Sequence, residues 1–170
     1  MKHAFRAGMG VAALLLASAA FAADVAVKIT GLHNCCPGCN MGINKILTEQ
    51  AVGTPTVNKG EISFTAADTE KAEKAVKALF DAGYAGKVEG AKTPDAMGAK
   101  GTKATTLKLT GIHNCCGQCT RAIQAAIKDF GTSDLKPRDT AFTITSDKEI
   151  DAEALVKALR NAGYNVKVAK

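Results

Sequence analysis

Six cysteines occur in two clusters whose type and spacing predict binding of a soft metal ion. The clusters share one spacing, and their members are Cys35, Cys36 and Cys39, then Cys115, Cys116 and Cys119. Each contains a C-x-x-C pair directly before an apolar pattern of helical spacing, so both sulfurs should converge where the helix begins. Unpaired N–H groups and partial positive charge at a helix start favour thiolate over thiol. We therefore expect a lowered pKa for at least one cysteine, and thiolate is the form that soft metals select.

A histidine recurs three residues before each C-x-x-C pair, at His33 and His113. Because each repeats at the same position, both imidazoles are candidate ligands beside the sulfurs. Cys35 and Cys115 supply a third sulfur next to each pair. Two sulfurs suit near-linear Cu(I) or Hg(II), three suit trigonal Cu(I), and three sulfurs with a histidine suit tetrahedral Zn(II). Affinity order alone favours copper.

Three other residue types near the clusters were weighed as ligands or as structural residues. Asn34 and Asn114 are predicted to shape the turns, because asparagine bonds its own backbone and tolerates left-handed conformations. Met41 is not expected to be a ligand, since its counterpart 80 residues later is an arginine.

Two alternatives use the same cysteines without binding metal. Disulfide stapling is disfavoured because three cysteines per cluster leave one unpaired, and a bridge within five residues closes a very small loop. Thiol–disulfide exchange stays open, because C-x-x-C at a helix start is also its arrangement. A strand before the motif and a hairpin after the helix, however, differ from the βαβ setting of a thioredoxin-like site.

The clusters belong to a unit that occurs twice. A shift of 80 residues pairs 25–90 with 105–170 without insertion, and 21 of the 66 positions are identical. Such a repeat predicts two small domains, 23–90 and 105–170, because a solenoid needs three or more units. The segment 91–104 between them is small, polar and broken by Gly and Pro, which predicts a flexible linker and domains that move relative to each other.

The hydrophobic periodicity changes along each unit. Val25 to Thr30 alternates as a half-buried strand, and apolar residues at helical spacing follow Cys39. The sequence Asn58-Lys59-Gly60 predicts a hairpin, which Pro137 weakens in the second unit. A second helix over about Thr69 to Ala82 and a strand over about Ala85 to Glu89 complete the unit. The order predicts an α+β chain of two ferredoxin-like β-α-β-β-α-β domains in tandem.

The N-terminus is predicted to be a signal peptide over residues 1–22. Charged residues come first, an apolar run follows, and small residues end the segment at an A-x-A site. The apolar run is shorter than the roughly 20 residues that a membrane span needs. We therefore expect a periplasmic or secreted protein with no membrane insertion after signal removal.

Composition and charge exclude several classes of function. The formal charge of +6 comes from 22 basic and 16 acidic residues that are scattered along the chain. No basic cluster is interleaved with aromatics, so nucleic-acid binding is not expected. The sequence shows no Ser/His/Asp grouping, no paired carboxylates at helical spacing and no phosphate loop. These patterns indicate a protein that is not an enzyme.

Each unit resembles the heavy-metal-associated domain, the family of small copper chaperones, periplasmic mercury-binding proteins and the N-terminal modules of metal-pumping ATPases. The resemblance rests on the order strand, Gly loop, C-x-x-C and helix, and on Ala-Gly-Tyr after the second helix, at Ala82-Gly83-Tyr84 and Ala162-Gly163-Tyr164. It implies a ferredoxin-like fold and Cu(I) or another soft ion held by the C-x-x-C sulfurs. It also implies that Tyr84 and Tyr164 adjust the metal site. The loop here is longer than in the family and carries an extra cysteine and histidine.

These observations predict a metal-binding protein that buffers Cu(I), or hands it by thiolate exchange to a metal-transporting or metal-accepting protein. The linker would let both sites approach one partner, or let the two domains share an ion. The alternatives are a thiol–disulfide oxidoreductase, a Zn(II)-binding protein, and a structural module with stapled cysteines.

Overall fold

The computed structural model describes residues 24–169 and shows a mixed α+β chain. The predicted signal peptide lies outside the described residues. The elements follow one another as β1 (Val25–Thr30), α1 (Pro37–Glu49), β2 (Thr56–Asn58), β3 (Glu61–Ala66), α2 (Thr69–Asp81), β4 (Lys87–Glu89), β5 (Lys103–Thr110), α3 (Gly117–Ile127), β6 (Thr132–Ser133), β7 (Ala141–Asp151), α4 (Ala152–Asn161) and β8 (Lys167–Val168). We call 24–90 the first unit and 103–169 the second unit.

Each unit forms a four-stranded antiparallel sheet with two helices. The strand orders are β2-β3-β1-β4 and β6-β7-β5-β8, and the two helices of each unit contact each other. Strand β1 lies between β3 and β4, so the cysteine loop that follows it leaves from the middle of the sheet. This topology is consistent with the predicted pair of ferredoxin-like domains.

The alternation in β1 has the expected physical cause. Val27 and Ile29 are buried on the helix-facing side of the sheet, while Ala26 and Lys28 face outward. Ile43 and Leu47 of α1 fall on one helix face and are fully buried in the same core. The cysteine loop is therefore held at both ends by buried elements.

The second helix of each unit has a side-chain cap at its start. The Asp68 carboxylate accepts a hydrogen bond from the Lys71 amide at 2.7 Å, and Asp151 caps α4 in the same way. Helix α2 ends at Asp81, one residue before the predicted end. Helix α1 begins at Pro37, so Cys39 lies in its first turn.

The weakened hairpin of the second unit is also found. Strand β6 has two residues, whereas β2 has three, and a loop containing Pro137 leads to β7. Proline cannot donate a hydrogen bond to a neighbouring strand, which accounts for the shorter pairing.

The segment predicted as a flexible linker makes defined contacts with the second unit. Arg160 donates hydrogen bonds to the carbonyl oxygens of Pro94 and Asp95, and Val168 donates one to Met97. Ala99 is fully buried. Strand β5 begins at Lys103, two residues before the predicted domain boundary.

Over residues 24–169, each helix is too short or too polar to cross a membrane.

Candidate metal centre

The two units meet along the loops that follow their second helices. The Ala85 amide donates to the Gly163 carbonyl at 3.0 Å, and the Asn165 amide donates to the Gly83 carbonyl at 2.9 Å. Tyr84 and Tyr164 form an antiparallel bridge between these two bonds. Because positions 83–85 and 163–165 are equivalent in the repeat, the contact is reciprocal and nearly two-fold symmetric.

Gly83 and Gly163 allow this close approach. Their φ angles are +89° and +87°, a conformation that favours glycine. A Cβ on Gly83 would overlap the His113 backbone nitrogen, and one on Gly163 would overlap that of His33. Each glycine therefore ends a helix, as its position predicts, and also lets the cysteine loop of the other unit lie against it.

This contact brings all six sulfurs into one cluster. Across the units, Cys39 Sγ lies 3.4 Å and Cys36 Sγ 3.5 Å from Cys115 Sγ. Cys35 Sγ lies 3.7 Å from Cys119 Sγ and 3.9 Å from Cys116 Sγ. Sequence reasoning left open whether the units act separately or share an ion, and the structure brings their cysteines together.

Sulfurs within each unit are also close. Cys36 and Cys39 are 3.5 Å apart, Cys115 and Cys119 are 3.6 Å apart, and Cys116 and Cys119 are 4.0 Å apart. All six cysteines lie in the described residues and are free thiols. A structural disulfide is therefore not what holds these loops.

Two buried asparagines hold the cysteine loops in place. Asn34 donates to the Asn58 carbonyl at 2.7 Å and accepts from the Gly60 amide, which ties the first loop to the β2–β3 hairpin. Asn114 donates to the Lys136 carbonyl at 2.7 Å. Both asparagines fix the loops, as expected, but they do so by binding a distant hairpin rather than their own backbone.

Both histidines stack on a tyrosine of the other unit. The His113 ring lies 4.2 Å from the Tyr84 ring, and the His33 ring lies 4.6 Å from the Tyr164 ring. Tyr84 Oη is 3.3 Å from both His113 Nε2 and the Cys39 carbonyl oxygen. The tyrosines thus join the histidine of one unit to the cysteine helix of the other.

The thiols differ in acidity according to their position. The amide N–H groups at the start of α1, first that of Cys39, lower the pKa of Cys36. Those at the start of α3, first that of Cys119, lower the pKa of Cys116 to about 7. The expected acidic thiol is therefore found in each unit.

The other thiols behave differently. Burial, and then the neighbouring sulfurs, raise the pKa of Cys35 and Cys115. Burial is also the first cause that raises the pKa of Cys39. Burial lowers the pKa of both His33 and His113, so both imidazoles are held neutral, the form that binds metal.

Three groups of these side chains could hold a metal ion. They are Cys39 with His113, Cys115 and Cys119, then His33 with Cys35 and Cys119, then Cys35 with Cys36 and Cys116. The ligand atoms within each group lie within 4.8 Å of one another. Every predicted cysteine and histidine ligand falls in at least one group, and each group draws on both units.

Other residues near the cysteines fall outside these groups. Met41 is 68% exposed on α1 and belongs to none of them, as expected. Tyr84 and Tyr164 are buried and contact the backbone carbonyls of Cys39 and Cys119. The contact of Gly83 and Gly163 with the opposite loop was missed from sequence. The recurrence of Gly-Tyr at the same spacing as the histidines was its only signal.

No protein-family model matches this sequence, and no curated protein matches it. Among solved structures, the chain is similar to the regulatory subunit of aspartate kinase from Thermus flavus. The identity is 16% and the TM-score 0.31, over 83% of this chain and 93% of that one. A likeness this distant says nothing of function.

Proposed function

We propose that this protein binds a soft metal ion, Cu(I), between its two units and buffers it or transfers it to a partner. The observation that carries the proposal is the convergence of six free thiols from both units within 3.4–4.0 Å of their nearest neighbours. Thiolates select soft ions such as Cu(I). The buried Nε2 of His33, which has no hydrogen-bond partner within residues 24–169, is a further unused donor beside these sulfurs.

Transfer would proceed by ligand exchange. Cys36 and Cys116 begin the helices at the solvent-facing side of the cluster, and both are partly exposed. An incoming thiolate from an acceptor protein adds to the ion as one of these sulfurs leaves, and Cu(I) keeps its oxidation state. The buried Cys39 and Cys119 keep the ion bound during the exchange.

Zn(II) is a second candidate cargo because of one group of donors. Cys39, His113, Cys115 and Cys119 provide three sulfurs and one nitrogen, a set that suits tetrahedral zinc. Hg(II) is a third soft ion that the cysteine pairs suit.

The proposal includes the setting that the sequence predicts. The chain would be an exported, tandem heavy-metal-associated domain protein without enzymatic activity. Its support is the β-α-β-β-α-β order of both units, with C-x-x-C at the start of the first helix in each.

Anaerobic titration of the reduced mature chain with Cu(I) and Zn(II), against competing chelators, tests the proposal. We expect tight Cu(I) uptake that a Cys36→Ala, Cys116→Ala double variant weakens. The variant Met41→Ala is the control, since its side chain is exposed near the first loop and belongs to no ligand group. Failure to bind either ion tightly would contradict the proposal.

Thiol–disulfide exchange is a second candidate function. Its support is the Cys36–Cys39 sulfur distance of 3.5 Å with a lowered pKa at the more exposed Cys36. The metal-free dithiol would then reduce a model disulfide and form a Cys36–Cys39 bond. Rapid exchange in a chain that binds no Cu(I) would favour this function over metal binding.

A further inference from the structure

We propose that the six cysteines form one polynuclear metal–thiolate centre, in which Cys119 and Cys35 each bridge two ions. This inference rests on the proposed function, because it specifies that the cargo is a cluster of Cu(I) ions rather than one ion per unit. It differs from the expectation that the repeat alone suggests, which is two equivalent sites.

The carrying observation is that the three ligand groups overlap in sequence. Cys119 belongs to the group with Cys39, His113 and Cys115, and also to the group with His33 and Cys35. Cys35 belongs to that second group and also to the third, with Cys36 and Cys116. The groups thus form a row in which neighbouring groups share one sulfur.

A shared sulfur is chemically suited to hold two ions. Each thiol loses its proton to solvent when it binds metal, and the resulting thiolate sulfur has lone pairs enough to coordinate more than one Cu(I). Copper stays in the +1 state, so no oxidant or reductant is consumed. Six separate thiolates in one small volume would repel one another, whereas intervening cations offset that charge.

The row breaks the symmetry of the repeat, which makes the inference testable. Cys39 and Cys119 are equivalent by sequence, yet Cys39 belongs to one group and Cys119 to two. Cys115 and Cys35 differ in the same way. By contrast, the equivalent residues Cys36 and Cys116 both belong to the third group alone.

The experiment is native mass spectrometry of the reduced full-length mature chain loaded anaerobically with Cu(I). The wild type should saturate at three ions, one for each ligand group. The variant Cys39→Ser should lose one ion and Cys119→Ser should lose two. Cys115→Ser and Cys35→Ser should show the same contrast, while Cys36→Ser and Cys116→Ser, the matched controls, should lose equal numbers.

X-ray absorption of the loaded wild type provides a second measurement that needs no variant. A bridged centre should show a short copper–copper scattering path, which isolated ions do not. Saturation at two ions, with equal losses at Cys39 and Cys119 and no copper–copper path, would overturn the bridged centre and leave the proposed function standing. Absence of Cu(I) binding would overturn both.

Discussion

The imidazole of His113, in the second unit, stacks on the phenol ring of Tyr84, in the first, with ring centroids 4.2 Å apart. The Tyr84 hydroxyl donates to the Cys39 carbonyl, so His113 Nε2–H can donate to the phenol oxygen. That arrangement leaves Nδ1 unprotonated, as a metal-ligating nitrogen must be. The equivalent His33 also stacks on a tyrosine, but its Nε2 is buried without a hydrogen-bond partner in the part of the chain that the structure describes.

Replacing the two histidines should therefore change the stability of the metal-free chain in opposite directions. His33→Phe removes an unsatisfied buried nitrogen and should leave the free energy of unfolding unchanged or raise it by about 1 kcal/mol. His113→Phe removes a hydrogen bond and should lower it by about 0.5–1.5 kcal/mol. Urea unfolding of both reduced variants measures this. Equal destabilisation would contradict the difference between the two sites.

Gly83→Ala should separate the units. Its Cβ would overlap the His113 backbone, whereas a Cβ on Gly101, at φ +67°, meets nothing within 4 Å. Gly101→Ala is thus a control for backbone strain alone, which costs about 1–2 kcal/mol. We expect a larger radius of gyration by small-angle scattering for Gly83→Ala only. The same radius in both variants would mean that the contact tolerates the methyl group.

Arg160→Ala should free the segment 91–102. Arg160 donates to the carbonyls of Pro94 and Asp95, and its guanidinium lies 5.2 Å from the centre of the Phe80 ring in the first unit. We expect trypsin to cut after Lys92 several times faster in this variant. Lys157→Ala, which removes an exposed cation from the same helix, is the control. Equal cutting in wild type and Arg160→Ala would show that the linker is flexible, as the sequence predicts.

Acid should weaken one ion pair between the units. Asp81 and Lys167 are 3.2 Å apart. Burial raises the pKa of Asp81, but hydrogen bonds from Lys77 and Lys167 outweigh that effect and hold it below its usual value. The stabilisation is therefore present above about pH 3.9 and is lost as the pH falls through the lower folded pKa.

The half-exposed pair should contribute about 0–1 kcal/mol. Unfolding of wild type and Asp81→Asn from about pH 6 to about pH 2 should show a gap that narrows with acid. A gap that widens with acid would contradict the ion pair.

The elements within each unit could be predicted because their causes are local. The alternation from Val25 to Thr30 and the cap at Asp68 act over a few residues, and the structure places β1 and α2 within one residue of expectation. The acidic thiols of Cys36 and Cys116 could be predicted for the same reason, since a helix start acts on its own first turn.

The docking of the units could not be predicted in this way. It depends on Gly83 meeting His113, a contact between residues that belong to different repeats and obey no common periodicity. Cys119 differs from its equivalent Cys39 only through that docking. Local sequence therefore supplies the donors, and long-range packing decides which donors act together.

The covalent connection through 91–102 has a further consequence for the reciprocal contact of Gly83 and Gly163. Two separate chains with this interface would associate only at sufficient concentration, and dilution would scatter their thiols. In one chain, a short connection holds the second unit at an effective concentration of about millimolar, whatever the amount of protein present. The centre therefore assembles as readily in a highly dilute compartment as in a crowded one.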